Sequence, residues 1–194
     1  MILNRRGLLA FFLAAFASLA ASDAALAAPD TQNIVYIDTK DGRITILLRP
    51  DLAPKHVAQI KTLTKRGFYN GVVFHRVIEG FMAQTGDPTG TGTGHSDLPN
   101  LQAEFTNTPF KRGALGMARS RDPDSANSQF FICLADAAFL NGQYTFFGEV
   151  ISGMDVVDKI KKGTKADDGA VINPDKIIKM QLASDAASVP AKAK

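Results

Sequence analysis

Two stretches of the chain concentrate side chains that could act on a bound ligand. The first reads Phe74-His-Arg-Val-Ile-Glu-Gly-Phe-Met-Ala-Gln-Thr-Gly-Asp87. The second runs from Gly113-Ala-Leu-Gly-Met-Ala-Arg119 through a polar loop to Asn127-Ser-Gln-Phe-Phe-Ile-Cys133. Alternate side chains of a strand share a face, so Phe74 and Arg76 are expected to point together, as are Met82 and Gln84. A cationic donor then lies near a thioether and an amide. Phe130 and Phe131 must take opposite faces: if one fills the core, the other is left outside, where an apolar ring needs a purpose. Taken singly these residues have bland readings, since a strand Phe or Met is usually core and a lone Arg is usually solvated. Together they carry more.

Other chemistries are poorly served. Gly86-Asp-Pro-Thr-Gly-Thr-Gly-Thr-Gly94 is glycine-rich like a phosphate loop, but it lacks the Gly-Lys-Ser/Thr ending and no clear helix start follows it. A hydrolase pairing Ser128 or Ser125 with His75 or His95 would need a nucleophile elbow, and no Gly-x-Ser-x-Gly is present. His75 is expected to be a hydrogen-bonded structural histidine, with no role for His56 or His95. Cys133 shares the face of Phe131 and reads as a small, partly buried filler rather than a redox centre. One Cys and 3 scattered His build neither a disulfide nor a zinc site. No metal and no cofactor is expected.

The scaffold follows from pattern. Asn33 to Thr39 and Arg43 to Arg49 are rich in β-branched residues and flank Asp41-Gly42, which predicts a β-hairpin. Ala53 to Arg66 carries Pro54 early, Val57, Ile60 and Leu63 on one side and Gly67 as its stop, the pattern of an amphipathic helix. Short strands are expected at Val72 to Val77, Phe81 to Gln84, Ala114 to Ala118, Gln129 to Leu134 and Thr145 to Val150. A second helix is expected at Met154 to Lys161 and a last strand at Lys176 to Leu182, leaving Ala183 to Lys194 as a frayed tail. Without strand-helix alternation, the predicted class is mainly β: a closed, eight-stranded antiparallel barrel capped by two α-helices.

At 194 residues with 45% apolar content and a net charge of +3, the chain reads as one folded domain. No block of Lys and Arg is suited to tracking a phosphate backbone, so nucleic acid is not an expected partner. Arg5-Arg6, the apolar run Leu8 to Ala21 and Ala25-Leu26-Ala27 fit a cleavable signal peptide over residues 1–27. That run is too short for the roughly 20 residues of a stable membrane anchor. The domain is then expected at 28–182 and the tail at 183–194. Export without disulfides suggests the periplasm of a Gram-negative bacterium. The absence of a long apolar seam favours a monomer.

The segments Phe74-His-Arg-Val-Ile-Glu-Gly-Phe-Met-Ala-Gln84, Ser128-Gln-Phe-Phe-Ile-Cys133 and Phe147-Gly-Glu-Val150 resemble the cyclophilin family of peptidyl-prolyl cis-trans isomerases. The likeness runs from about Asn33 to Leu182. It implies a cyclophilin-like barrel with a helix at each end and a substrate groove on its outer face. Carried over, the catalytic arginine is Arg76, and the proline-ring pocket falls on Phe81, Met82, Phe131 and Leu140. Gln84 would hydrogen-bond nearby, and Ala118 and Gln129 match further groove positions.

The sequence departs from the eukaryotic pattern where Phe139 replaces the groove Trp, Tyr144 the groove His, and Arg119 the Asn after Met117-Ala118. Without the indole N–H, cyclosporin is expected to bind weakly. The implied activity is rotation about Xaa-Pro bonds in exported, folding polypeptides. It breaks no covalent bond and so needs neither nucleophile nor metal. The rival within this resemblance is a non-catalytic module that captures proline peptides.

Overall fold

The computed structural model describes residues 31–187 of the chain. The signal-peptide expectation over 1–27 lies outside the described residues, as does 188–194 of the expected tail. Strand β1 (Ile34–Thr39) and strand β2 (Gly42–Leu48) pair antiparallel, with Thr39 opposite Gly42. At the turn, Thr39 Oγ1 accepts from the Asp41 N–H at 3.2 Å and donates to the Gly42 carbonyl at 3.1 Å. The predicted hairpin forms, with its two-residue turn at Lys40-Asp41, one position before the expected Asp41-Gly42, because Gly42 is already paired with Thr39.

Helix α1 (Pro54–Lys65) begins with Pro, as its motif required, but has no side-chain cap of its own. Its first free N–H groups, on Lys55 and His56, both donate to the Glu104 carboxylate at 3.1 Å. An anion there also suits the positive end of the helix. The buried face carries Val57, Ile60 and Leu63.

Strands β3 (Arg76–Ile78), β4 (Met82–Thr85), β5 (Ala114–Met117), β6 (Phe130–Cys133), β7 (Phe146–Ser152) and β8 (Lys179–Leu182) complete an eight-stranded antiparallel sheet in the order β3-β4-β6-β5-β7-β2-β1-β8. The two end strands do not pair with each other. The sheet curls and its ends are joined by irregular backbone bonds instead: Gly71 N–H to Ile177 at 2.7 Å, Ile177 N–H to Val72 at 2.8 Å and Phe74 N–H to Asp175 at 2.8 Å. Mainly β with a curled, eight-stranded barrel is therefore what the chain forms.

This closure explains the largest departures from the predicted elements. Of the expected Val72–Val77 strand only Arg76 and Val77 are regular, in a strand that runs on to Ile78, and β8 starts at Lys179 rather than Lys176. Phe74 and Val77 are both fully buried in the barrel core, three positions apart, so alternation fails between them. Phe74 and Arg76 consequently do not share a face, contrary to the pattern reading. Helix α2 (Met154–Lys159) stops two residues early, where extended Ile160 enters the core and the Lys161 N–H turns to Asp175 Oδ2 at 2.9 Å. A third helix, α3 (Ala183–Ala187), occupies the start of the segment expected to fray.

The buried side chains form two clusters. One fills the barrel and takes Val57, Ile60 and Leu63 from α1 and Val156, Val157 and Ile160 around α2. The other lies on the opposite face of β4, β5, β6 and β7 and includes Met82, Phe110, Phe131, Cys133, Leu140 and Phe146. Phe130 belongs to the first and Phe131 to the second, as the period of a strand demands. Among the described residues, no helix is long and apolar enough to cross a membrane.

Candidate active site

Strand register draws the site together. Arg76 is opposite Gln84 across β3 and β4, Gln84 opposite Phe131 across β4 and β6, and Phe131 opposite Gly116 across β6 and β5. One row over the outside of the barrel thus carries a cation, an amide and an aromatic ring. The last position must be glycine for steric reasons. A Cβ on Gly116 would lie 2.2 Å from Phe131 Cζ and 2.7 Å from Phe110 Cε1. Without it the Phe131 ring lies down across β5, tilted by 31° to Phe110 at 5.9 Å and edge-on at 5.7 Å from Tyr144.

Above that row is a cavity of about 360 Å³. Its floor is Met82, Phe131 and Leu140, each at most 5% exposed. Phe81 and Phe139 form an apolar wall, their rings 5.3 Å apart, with Phe139 64% exposed. Arg76, Gln84, Ala118, Arg119 and Tyr144 complete the lining, together with Gln143, which sequence reasoning did not single out. Gln129 lines the adjoining cavity of about 460 Å³. It is tied to the first cavity because Gln84 Nε2 donates to its Oε1 at 2.9 Å. Every predicted site residue is therefore brought to one continuous surface.

The Arg76 guanidinium is held at the rim. Nη1 donates to Gln84 Oε1 at 3.4 Å, Nη2 to Asp168 Oδ1 at 3.0 Å and Nε to the Asp168 carbonyl at 2.9 Å. Asp168 adopts a left-handed φ of 50°, and the neighbouring Gly169 leaves no space for a side chain: a Cβ would fall 2.4 Å from Ile78 Cγ1. The loop is laced to β3, with the Val77 N–H donating to Gly169 at 2.8 Å and the Val171 N–H to His75 at 3.0 Å. Sequence reasoning missed Asp168. Its Asp-Gly dipeptide signals a turn but carries no information about a partner 92 positions away.

The glycine-rich loop serves this network rather than a phosphate. The N–H groups of Thr89, Gly92 and Gly94 converge on the Asp87 carboxylate, at 2.7, 2.6 and 3.1 Å. Desolvation raises the Asp87 pKa, but the Thr89 hydroxyl and these N–H groups outweigh it and hold the pKa down at about 2. The chain's own carboxylate thus occupies the anion cradle. Gln129 Nε2 then donates to the carbonyls of Gly92 at 3.0 Å and Gly94 at 2.8 Å, linking loop, Gln84 and Arg76.

The remaining candidates are structural. His75 is buried, yet neither ring nitrogen has a hydrogen-bond partner, which corrects the expectation of a hydrogen-bonded histidine. Burial pushes its pKa below the ordinary value, against the pull of Asp87. His56, given no role from sequence, sits fully buried with Nδ1 2.6 Å from Glu104 at the start of α1. Its pKa is also lowered, by burial first and in opposition to Glu104. Ser128 Oγ donates to the Gly86 carbonyl at 2.8 Å and Ser125 Oγ to the Asp122 carbonyl at 2.6 Å, so neither is poised on a histidine. Cys133 lies buried behind the groove floor, and desolvation pushes its thiol up to about 12, where it is inert. Among the described residues, no group of three or more His, Cys, Asp or Glu could hold a metal ion.

Fold and groove together define a class: a curled antiparallel barrel with an apolar ligand pocket on its outer face and an arginine clamped to a neighbouring loop at the rim. The family description "Cyclophilin type peptidyl-prolyl cis-trans isomerase/CLD" matches residues 34–182, and the chain belongs to that family. It is 57% identical over 187 residues to "Probable peptidyl-prolyl cis-trans isomerase" of Brucella suis, covering 89% of this chain and 95% of that one. It is 45% identical over 131 residues to a peptidyl-prolyl cis-trans isomerase of Helicobacter pylori, covering 66% and 80%. Among solved structures, a cyclophilin of Hirschia baltica superposes with a TM-score of 0.73 at 28% identity, over 83% of this chain and 77% of that one. A Cryptosporidium parvum cyclophilin type isomerase, crystallised in the presence of the dipeptide Ala-Pro, gives 0.71 at 30% identity over 77% and 98%. Relatives and family alike are named as peptidyl-prolyl cis-trans isomerases.

Proposed function

We propose that the protein accelerates rotation about Xaa-Pro bonds in exported polypeptides, with Arg76 donating a hydrogen bond to the prolyl nitrogen of the twisted amide. The observation that carries this reading is the Arg76 guanidinium clamped at the rim of a cavity whose floor is Met82, Phe131 and Leu140. A planar amide delocalises its nitrogen lone pair and barely accepts there; rotation, which costs roughly 18–20 kcal/mol, restores that lone pair. A donor fixed at the rim therefore binds the transition state better than the ground state.

One charge-assisted bond supplies about 1.5–3 kcal/mol. A turnover near 10³ s⁻¹ corresponds to a barrier of roughly 13 kcal/mol, so about 5–7 must be removed in all. The apolar floor offers the remainder, because a twisted amide is less dipolar than a planar one and loses less on leaving water. Arginine suits the rim better than lysine, since its planar fork stays charged beside apolar surface.

The exported setting is supported by residues 1–27, and proline-limited folding in the periplasm is the task such a setting supplies. Fractionating cells between cytoplasm and periplasm tests it. For the mechanism, proline-peptide exchange is measured by NMR with and without Arg76→Ala. Loss of turnover with peptide affinity retained supports the reading. Unchanged turnover with weakened affinity would make Arg76 a peptide-binding residue and overturn its catalytic assignment, whereas a wild type that binds the peptide without speeding its exchange would be a capture module.

A further inference from the structure

Arg119 differs from the other well-placed arginines. Arg43, Arg49, Arg66, Arg76 and Arg112 each pair with a carboxylate. Arg119 is instead held on neutral partners: Nε and Nη2 donate to the Gln143 carbonyl at 3.2 and 3.0 Å, and Nη1 to the Ser120 carbonyl at 2.9 Å. Its Cζ lies 4.5 Å from the centroid of the Tyr144 ring, a cation–π contact. A guanidinium has five N–H groups, so one on each terminal nitrogen is left over. The cation is oriented, and no anion among the described residues compensates it.

Its position gives that charge an address. Arg119, Gln84 and Ala118 line both the proline cavity and the adjoining cavity of about 460 Å³. No carboxylate lines the second cavity. Asp122 and Asp124, in the turn after Arg119, are engaged elsewhere: Asp122 Oδ1 accepts from the Asp124 N–H at 2.9 Å, and Asp124 Oδ1 from the Ala103 N–H at 2.8 Å. The other polar walls are also occupied. Asn127 Nδ2 donates to Leu98 at 2.8 Å, and Gln129 Nε2 donates to the loop carbonyls.

We propose that the second cavity is a specificity subsite for an acidic side chain of the substrate, with Arg119 as its recognition residue. This rests on the isomerase reading above and deepens it by naming a substrate class: polypeptides with Asp or Glu close to the isomerised proline. The two cavities share walls and an extended chain advances ~3.3 Å per residue, so the acidic residue falls within about three positions of the proline. A forked guanidinium with spare N–H groups binds a carboxylate in a defined orientation, which lysine would not impose.

The test is NMR exchange on a peptide series carrying Glu, Gln or Lys at each of the three positions on either side of one proline. Wild type, Arg119→Gln and Arg119→Lys are compared. At one position, kcat/KM is expected to be about fivefold higher for Glu than for Gln, which is ~1 kcal/mol, and lowest for Lys. The Glu-to-Gln ratio should fall towards one in Arg119→Gln, persist in part in Arg119→Lys and shrink with added salt. Isomerisation of all peptides at equal rates by wild type overturns the subsite, as does a Glu preference that survives Arg119→Gln. Failure of wild type to isomerise any peptide is a different result. It overturns the isomerase reading itself, and the subsite with it.

Discussion

Gly116→Ala adds one methyl group to the back of the groove, and its consequences follow from the coordinates. The new Cβ would lie 2.2 Å from Phe131 Cζ and 2.7 Å from Phe110 Cε1. Carbon atoms are comfortable at about 3.5–4.0 Å, so the Phe131 ring must retreat by roughly 1.3 Å or more. It cannot swing freely, because the tilted Phe110 ring packs against it at 5.9 Å and it meets Tyr144 edge to face. The open direction is the proline cavity, whose floor the ring forms. Overpacking of this kind costs about 1–3 kcal/mol in stability. A floor displaced by about 1 Å is expected to lower kcat/KM at least tenfold, since misplacement on that scale can cost about a hundredfold. Urea unfolding gives the first quantity and proline-peptide exchange by NMR the second. Adding Phe131→Leu should restore stability by relieving the clash without restoring activity. If Gly116→Ala alone leaves the urea midpoint unchanged and kcat/KM within twofold of wild type, the argument that this glycine sets the ring's position is wrong.

Removing the Asp168 carboxylate tests the clamp on Arg76. The pair is exposed at Asp168 (81%), so it contributes only about 0.2–1 kcal/mol; Asp168→Ala should lower kcat up to about fivefold with little change in KM, and Asp168→Asn less. Steady-state exchange rates at several peptide concentrations separate the two parameters. Acidification should destabilise the fold through His56 and His75. Both have folded pKa values below the ordinary 6.5, so the unfolded chain takes up the proton first, and stability falls as pH drops from about 6.5 towards those lower values. Urea midpoints from pH 8 to 5 will show the decline, and His75→Phe should shallow it. Asp87 acts further down: with a folded pKa of about 2 against 3.8, its contribution is present above 3.8 and fades between there and 2. Finally, Phe139 offers no N–H where the groove Trp would, so calorimetry should find cyclosporin binding weaker than nanomolar; nanomolar binding contradicts the assignment.

The division between what was legible in the chain and what was not follows from the range of each interaction. Phe130 and Phe131 could be assigned to opposite faces because the two-residue period of a strand is local geometry. The hairpin at Lys40-Asp41 and the α1 face of Val57, Ile60 and Leu63 were readable for the same reason. The groove residues from Arg76 to Tyr144 were found through their resemblance to a family, and the register of β3, β4, β6 and β5 accounts for why they meet.

Only the closed sheet decided the rest. Phe74 and Arg76 part company because the barrel is shut by irregular bonds between Gly71–Phe74 and Asp175–Ile177, and the alternation lapses there. Asp168 reaches Arg76, and Glu104 reaches the first turn of α1, from far along the chain. Neither partner leaves a periodic trace in its own neighbourhood, since contacts of that separation are set by how elements pack and not by the preferences of the residues beside them.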